Sequence, residues 1–282
     1  GRQQQLIEAM DPVVLAYLVT LAAGLCTGIG SAIAFFTRHT NRAFLSVALG
    51  FSAGVMIYVS FIEILPKARA SLLAAGDSEL RALTTSTIGF FAGMLLIAVI
   101  DRLVGRFSNP HEGISVESMD TDGGSTEIIR QANLRRMGVL VALAVALHNF
   151  PEGLGTFLVV LEDPAVGVAL AAAIAIHNIP EGVAISVPLY HATGKRSKAF
   201  LYSFGSGLAE PLGAVAGYLI LRPFIDDTTF GIVFAAVAGI MVFISIDQLL
   251  PAAREYGRPN LEIYGLMAGM MVMAASLVLF AM

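Results

Sequence analysis

Polar positions in this chain are sparse and clustered. Between them lie apolar runs of about 20 residues, the length that crosses a bilayer as a helix. The polar punctuation falls at 37–42, 67–81, 107–133, 162–164, 191–198, 222–229 and 254–260. Eight helices are predicted between these breaks, over about 12–36, 43–65, 84–106, 134–160, 165–191, 198–221, 229–251 and 262–281. The 107–133 stretch is rich in Asp, Glu, Ser, Gly and Asn and reads as a flexible loop. The fold expected is an all-α polytopic membrane protein, with residues 1–282 forming one transmembrane domain.

Composition agrees. Hydrophobic residues make up 56% of the chain and charged residues 13%, where a soluble domain carries about a quarter charged. The net charge of −4 and the lack of a basic run argue against a nucleic-acid partner. The one cysteine, Cys26, sits in an apolar run, which excludes a disulfide framework. With no Trp, an interfacial aromatic belt must rest on Tyr and Phe. No cleavable signal segment is recognisable in the polar opening residues. With the N-terminus outside, 12 of the 17 Lys and Arg residues fall in inside loops. The positive-inside rule then places both termini outside.

Two kinds of internal repeat stand out. Ala53–Arg69 reads AGVMIYVSFIEILPKAR and Ala238–Arg254 reads AGIMVFISIDQLLPAAR, aligned without a gap at an offset of 185 residues. A weaker echo links GFFAGM at Gly89 with GLMAGM at Gly265. The second and seventh predicted helices are five apart, so they cross the membrane in opposite senses. Inverted repeats of this kind mark secondary transporters, whose substrate sites lie near the membrane midplane. The arrangement expected is three helices, two helices, then three, with the central pair on the pseudo-symmetry axis.

That central pair carries the second repeat, ALHNFPEG at Ala146–Gly153 and AIHNIPEG at Ala175–Gly182. On a helix, residues three and four apart share a face. Glu152 therefore neighbours both His148 and Asn149, and Glu181 neighbours both His177 and Asn178. One carboxylate between two different partners suits a bridge between two metal positions. Pro151 and Pro180 each free a carbonyl four residues back, which mid-membrane helices tolerate where another group satisfies it. An ionised side chain at the bilayer centre costs about 2.5–3.5 kcal/mol. A divalent cation offsets that cost, since imidazole nitrogen and carboxylate oxygen both ligate first-row metals. The plainer alternative is a hydrogen-bonded His–Glu network that joins two helices. Its duplication on antiparallel spans favours the metal.

Further intramembrane polar groups extend the set. Glu210, followed by Pro211 in GLAEPLG, is a candidate third carboxylate. A methionine on an apolar helix is ordinarily core, but Met56 has Met241 as its repeat mate and stands as a candidate thioether ligand. Glu63 lies toward the outside, and Asp101 and Asp247 toward the cytoplasm, so the three could pass a cation along a path. Near-terminal acids also fit the headgroup zone, Asp101 beside Arg102 above all. His111, in the long loop, could assist release of metal.

These motifs resemble the ZIP family of divalent-metal transporters (Zrt-, Irt-like proteins), most closely a bacterial branch of it. The paired HNxPEG helices, the GLAEPLG helix and the SFIEILP helix carry the resemblance, which runs from the first to the last helix. It implies eight helices, both termini outside, a bacterial inner membrane and a binuclear site between helices 4 and 5. One metal would lie among His148, Glu152, His177 and Glu181, with Met56 nearby. The other would lie among Asn149, Glu152, Asn178, Glu181 and Glu210. It further implies uptake of Zn²⁺, with Fe²⁺, Mn²⁺, Co²⁺ and Cd²⁺ also accepted, by alternating access in which helices 1, 4, 5 and 6 move against 2, 3, 7 and 8. The HExPHExGD form of helix 5 is absent, and the 3–4 loop holds one histidine where relatives have a His-rich run. Metal is cargo in this reading and no cofactor is expected. A homodimer is compatible with it.

Enzyme readings fit less well. A zinc protease of the common kind shows His-Glu-x-x-His, and a di-iron oxidase uses Glu-x-x-His pairs. Here each motif has a single His, in the order His-x-x-x-Glu. A metal sensor that transports nothing stays open on sequence alone.

Overall fold

The computed structural model describes residues 10–36, 42–105, 146, 149–162, 164–224, 226–256 and 260–281. Among these every regular element is helical. Helix α1 runs Pro12–Phe36. Helix α2 runs Arg42–Val59, passes through a π turn at Ser60–Ile64 and continues as Leu65–Ala74. Helix α3 is Glu79–Gly105, α4 covers 149–162 and α5 is Pro164–Thr193. Helix α6 has two pieces, Arg196–Gly207 and Ala209–Leu221, with a short turn at Arg222–Phe224 after it. Helix α7 repeats the plan of α2, with Asp227–Ile244, a π turn at Ser245–Leu249 and Leu250–Tyr256. Helix α8 is Leu261–Ala281.

Several predicted boundaries move. The break expected over 67–81 is largely helix, because α2 continues past Pro66 to Ala74 and α3 starts at Glu79. A proline in the first turn of a helical segment forgoes an N–H that needs no partner there. The π turn ahead of it supplies that fresh start: the N–H of Leu65 donates to the carbonyl of Ser60, five residues back. The real turn is only 75–78, where Gly76 takes φ +95°, a backbone angle that glycine adopts without a Cβ clash. Charges gather there, with Arg69 against Glu79 and Arg81 Nε 3.2 Å from Asp77 Oδ1. In the same way α7 passes Pro251 and reaches Tyr256. The sixth span, expected to be continuous over 198–221, is interrupted at Leu208. The loop expected at 107–133 and the start of the fourth predicted helix lie outside the described residues.

At the head of α7, Asp226 caps the helix by accepting the N–H of Thr229 at 2.7 Å. That backbone bond favours the ionised form and holds its carboxyl below the usual carboxylate range.

The 185-residue repeat extends to local structure. Ser60 and Ser245 open the two π turns, and each hydroxyl donates to the carbonyl four residues back, Met56 at 2.7 Å and Met241 at 2.8 Å. Packing repeats as well. α2 lies along α8 and α7 lies along α3, each pair through glycines that admit the neighbouring backbone. A Cβ on Gly54 would run into the carbonyl of Leu266, and one on Gly239 into that of Phe90. Likewise Gly269 lies on Phe51, and Gly93 on Ala236. Moving 185 residues along one helix and 176 along the other converts each contact into its mate. Small residues that let backbones approach are the usual means of helix association in lipid.

Among the described residues, five helical stretches are long and apolar enough to cross a membrane: Pro12–Ala32, Ser46–Ala74, Glu79–Leu103, Asp227–Leu249 and Leu261–Leu279. Their outer faces expose Leu18, Leu95, Leu96, Met271 and Leu279. The polar side chains Ser52, Ser60, Glu152, Asn178, Glu210 and Ser245 are buried. Apolar outside and polar within suits lipid as the surrounding solvent.

Because the two glycine seams are equivalent, Gly54→Val and Gly239→Val should each lower the thermal midpoint of the detergent-purified protein. The cost expected is about 1–3 kcal/mol, the range for overpacking. Gly205→Ala, whose added methyl meets nothing within 4 Å, should leave the midpoint unchanged or raise it.

Candidate metal site among α1, α4, α5 and α6

The repeated motif places Asn149 and Glu152 on α4 and Asn178 and Glu181 on α5. All four side chains are buried, and so is Glu210 at the start of the second piece of α6. The break at Leu208 has a local cause. Pro211 cannot donate to the carbonyl of Gly207, and the helix resumes when Leu212 donates to Leu208 at 3.3 Å. Glu210 therefore stands at a helix start in mid-chain. Interrupted helices of this sort line substrate sites in transporters. Gly153 on α4 lies directly on the backbone of Glu210, so α4 and α6 meet at that residue.

Hydrogen bonds orient the two asparagines. Asn178 Nδ2 donates to the carbonyl of Ala23 on α1 at 2.9 Å and to Glu210 Oε1 at 2.6 Å. Asn149 Nδ2 donates to the carbonyl of Ser206 on α6 at 3.1 Å. A backbone carbonyl can only accept, so the amide nitrogen must face it and the amide oxygen must face away. Asn149 Oδ1, Asn178 Oδ1 and Glu210 Oε2 are all buried, and none has a hydrogen-bond partner among the described residues. Leaving such an oxygen unsatisfied costs about 1–3 kcal/mol. Glu152 and Glu181 are near enough for their charges to act on Glu210.

Three orphaned oxygens beside buried carboxylates form an environment that favours a cation. Neutral carbonyl and carboxylate oxygens together suit divalent metals of the harder kind. Among the described residues no group of three or more His, Cys, Asp and Glu side chains is itself arranged to hold a metal. His148 lies outside the described residues. His177 lies on α5, its side chain also outside them.

Other candidates are placed as follows. Met56 is buried in the apolar core on α2, a helix that packs on α5. Glu63 sits in the first π turn with Lys67 Nζ at 3.8 Å. Asp247 sits in the second π turn. Asp101 Oδ1 accepts Gln248 Nε2 at 3.3 Å, which joins the last turns of α3 to the π turn of α7. His111 lies outside the described residues. Gln248 escaped the sequence reading, although the 185-residue alignment sets it opposite Glu63. A serine chain also escaped it. Ser31 Oγ lies 2.6 Å from Ser203 Oγ, and Ser203 donates to the carbonyl of Gly182 at 2.9 Å, which ties α1, α6 and α5 together. Nothing in the spacing of those serines signals it.

Apolar helices with polar side chains buried among them define a multi-pass membrane protein. Comparison with known proteins narrows this. Residues 107–277 match the family model described as ZIP Zinc transporter. The chain is 58% identical over 274 residues to the zinc transporter ZupT of Nitratidesulfovibrio vulgaris, covering 95% of this chain and 98% of that one. Against the ZupT of Oceanobacillus iheyensis identity is 58% over 273 residues, covering 96% and 100%. Against the ZupT of Streptococcus mutans it is 54% over 265 residues, covering 94% and 97%. The chain belongs to the ZIP family. It is thus a transporter and not an enzyme.

Among the described residues, Asn178 makes two buried bonds where Asn149 makes one. Asn178→Leu should therefore destabilise the protein more than Asn149→Leu, by about 1–3 kcal/mol. Thermal unfolding of the two variants in detergent checks this.

Proposed function

We propose that the protein carries zinc into the cytoplasm by alternating access, through a binuclear site between α4 and α5, and that iron, manganese, cobalt and cadmium also pass. The observation that carries this reading is the anchoring of both asparagine amides. Their nitrogens are committed to carbonyls of α1 and α6, and their oxygens are left, with Glu210 Oε2, for a cation. Asn149, Glu152, Asn178, Glu181 and Glu210 would hold one metal. His148, Glu152, His177 and Glu181, with Met56 near, would hold the other. Glu63 would receive cargo at the outside, and Asp101, Asp247 and His111 would pass it on at the inside. The relatives' printed name, zinc transporter, supports zinc as the cargo.

The scaffold belongs to the same proposal. Eight spans in a three, two, three order, with the halves inverted and both termini outside, fit the repeated contacts of α2 with α8 and of α7 with α3. A bacterial inner membrane is the compartment that fits bacterial relatives. The polar bonds named above join α4 to α6, α5 to α1 and α6, and α3 to α7. They stay within the group α1, α4, α5, α6 or within the group α2, α3, α7, α8, which supports motion of one group against the other.

Ligating His and Glu must be deprotonated to bind metal, so binding displaces protons. Zinc should therefore bind more tightly at pH 7.5 than at pH 5.5, about these values being the test points. Competitive radiometal uptake into proteoliposomes, with Zn²⁺, Fe²⁺, Mn²⁺ and Cd²⁺ at both pH values, tests cargo and sign together. The double variant His148→Ala, Glu181→Ala should abolish uptake. Undiminished flux in that variant would mean that the cargo takes another route.

A further inference from the structure

Contacts between α1 and α5 repeat those between α6 and α4. Asn178 donates to the carbonyl of Ala23, and Asn149 to that of Ser206. A Cβ on Gly182 would run into the carbonyl of Thr27, and one on Gly153 into that of Glu210. A Cβ on Gly30 would meet the carbonyl of Ile179, and one on Gly213 that of Phe150. Each pair is related by 29 residues in the motif helices and by 183 residues between α1 and α6. Shifted by that amount, Gly24-Leu25 and Gly30 of α1 fall on Gly207-Leu208 and Gly213 of α6. Gly24 and Gly207 face one another, and a Cβ on either would lie 2.7 Å from the other's carbonyl oxygen. Beyond Gly24 the neighbouring side chains are Pro211 and Glu210, and beyond Gly207 it is Thr27.

Thr27 therefore occupies, in the first half, the place that Glu210 holds in the second. Its side chain is fully buried, and Oγ1 has no hydrogen-bond partner among the described residues. A helical threonine ordinarily donates to the carbonyl four residues back, as Thr20 does to Ala16 at 2.8 Å. For Thr27 that carbonyl belongs to Ala23, which accepts Asn178 instead. The hydroxyl stands where the two-fold plan of the site would put a ligand, and it is not spent on the helix.

We propose that Thr27 supplies its hydroxyl oxygen as a neutral ligand to the transported cation on the Asn149 side, as the uncharged counterpart of Glu210. Two equivalent glutamates would add a further negative charge to a site that already buries three carboxylates. A threonine keeps the oxygen and omits the charge, so the ion is held on one side and left free to depart on the other. This rests on the metal-site reading above.

Zinc uptake into proteoliposomes by Thr27→Val, Thr27→Ser and Glu210→Gln, with thermal midpoints in detergent, tests it. Valine keeps the shape and deletes the hydroxyl. Thr27→Val should raise the KM for zinc about tenfold, while Thr27→Ser stays near the parent. The thermal midpoint of Thr27→Val should not fall, because the deleted hydroxyl has no hydrogen-bond partner among the described residues. Unchanged KM in Thr27→Val beside impaired Glu210→Gln would overturn the role of Thr27 and leave the site standing. Unchanged uptake in both would overturn the site, and the role with it. Loss of uptake and of stability together, in Thr27→Val and Thr27→Ser alike, would reduce Thr27 to a packing residue.

Discussion

The bond from Asn178 to the carbonyl of Ala23 sets the terms for the rest of the site. An amide in apolar surroundings must place its nitrogen and its oxygen against groups of opposite kind. Once the nitrogen faces α1, it also reaches Glu210, and the oxygen is turned inward. The bond occupies the acceptor that Thr27 would otherwise use. It depends in turn on Gly182, which lets α5 lie on the backbone of α1 at Thr27. Helix approach, amide orientation and the freeing of polar oxygens thus follow from one contact. The contact of Asn149 with Ser206 does the same work on the other side.

Much of this was legible from the sequence, for physical reasons. In lipid every backbone group must be satisfied within the helix, so apolar runs and polar punctuation announce spans directly. The repeat of α2 in α7 showed as an ungapped match because both must make the same seam of glycines and the same π turn before proline. Glu152, Glu181 and Glu210 stood out because a carboxylate in an apolar run needs a partner.

What escaped the sequence depended on neighbours in space. The polar breaks after Pro66 and Pro251 read as helix ends, and a proline normally removes a bond from the helix interior. The π turns absorb that loss, and no residue type announces one. The asparagines were recognised as polar, but their orientation depends on carbonyls of α1 and α6 distant in sequence. Gln248, which the 185-residue alignment sets opposite Glu63, bonds to Asp101 on a helix distant in sequence. Thr27 is one of several small polar residues on apolar helices, and only the packing of Gly24 on Gly207 sets it opposite Glu210.

A duplicated scaffold explains how such a site tolerates its own charge. Repetition places equivalent groups on either side of a central pair, and strict equivalence would double every carboxylate. With charges about 4 Å apart, repulsion is about 4 kcal/mol even at an effective dielectric of 20. The motif helices keep their glutamates paired, whereas α1 and α6 differ at the one position where both would add another. The helix that keeps the acid is the one that breaks beside it, at Leu208 and Pro211, so that Glu210 lies in the first turn of a new segment. The first turn of a helical segment is where the helix dipole favours a negative charge. Helix α1, unbroken from Pro12 to Phe36, has no such end to offer at Thr27, and a neutral oxygen is what that backbone can support.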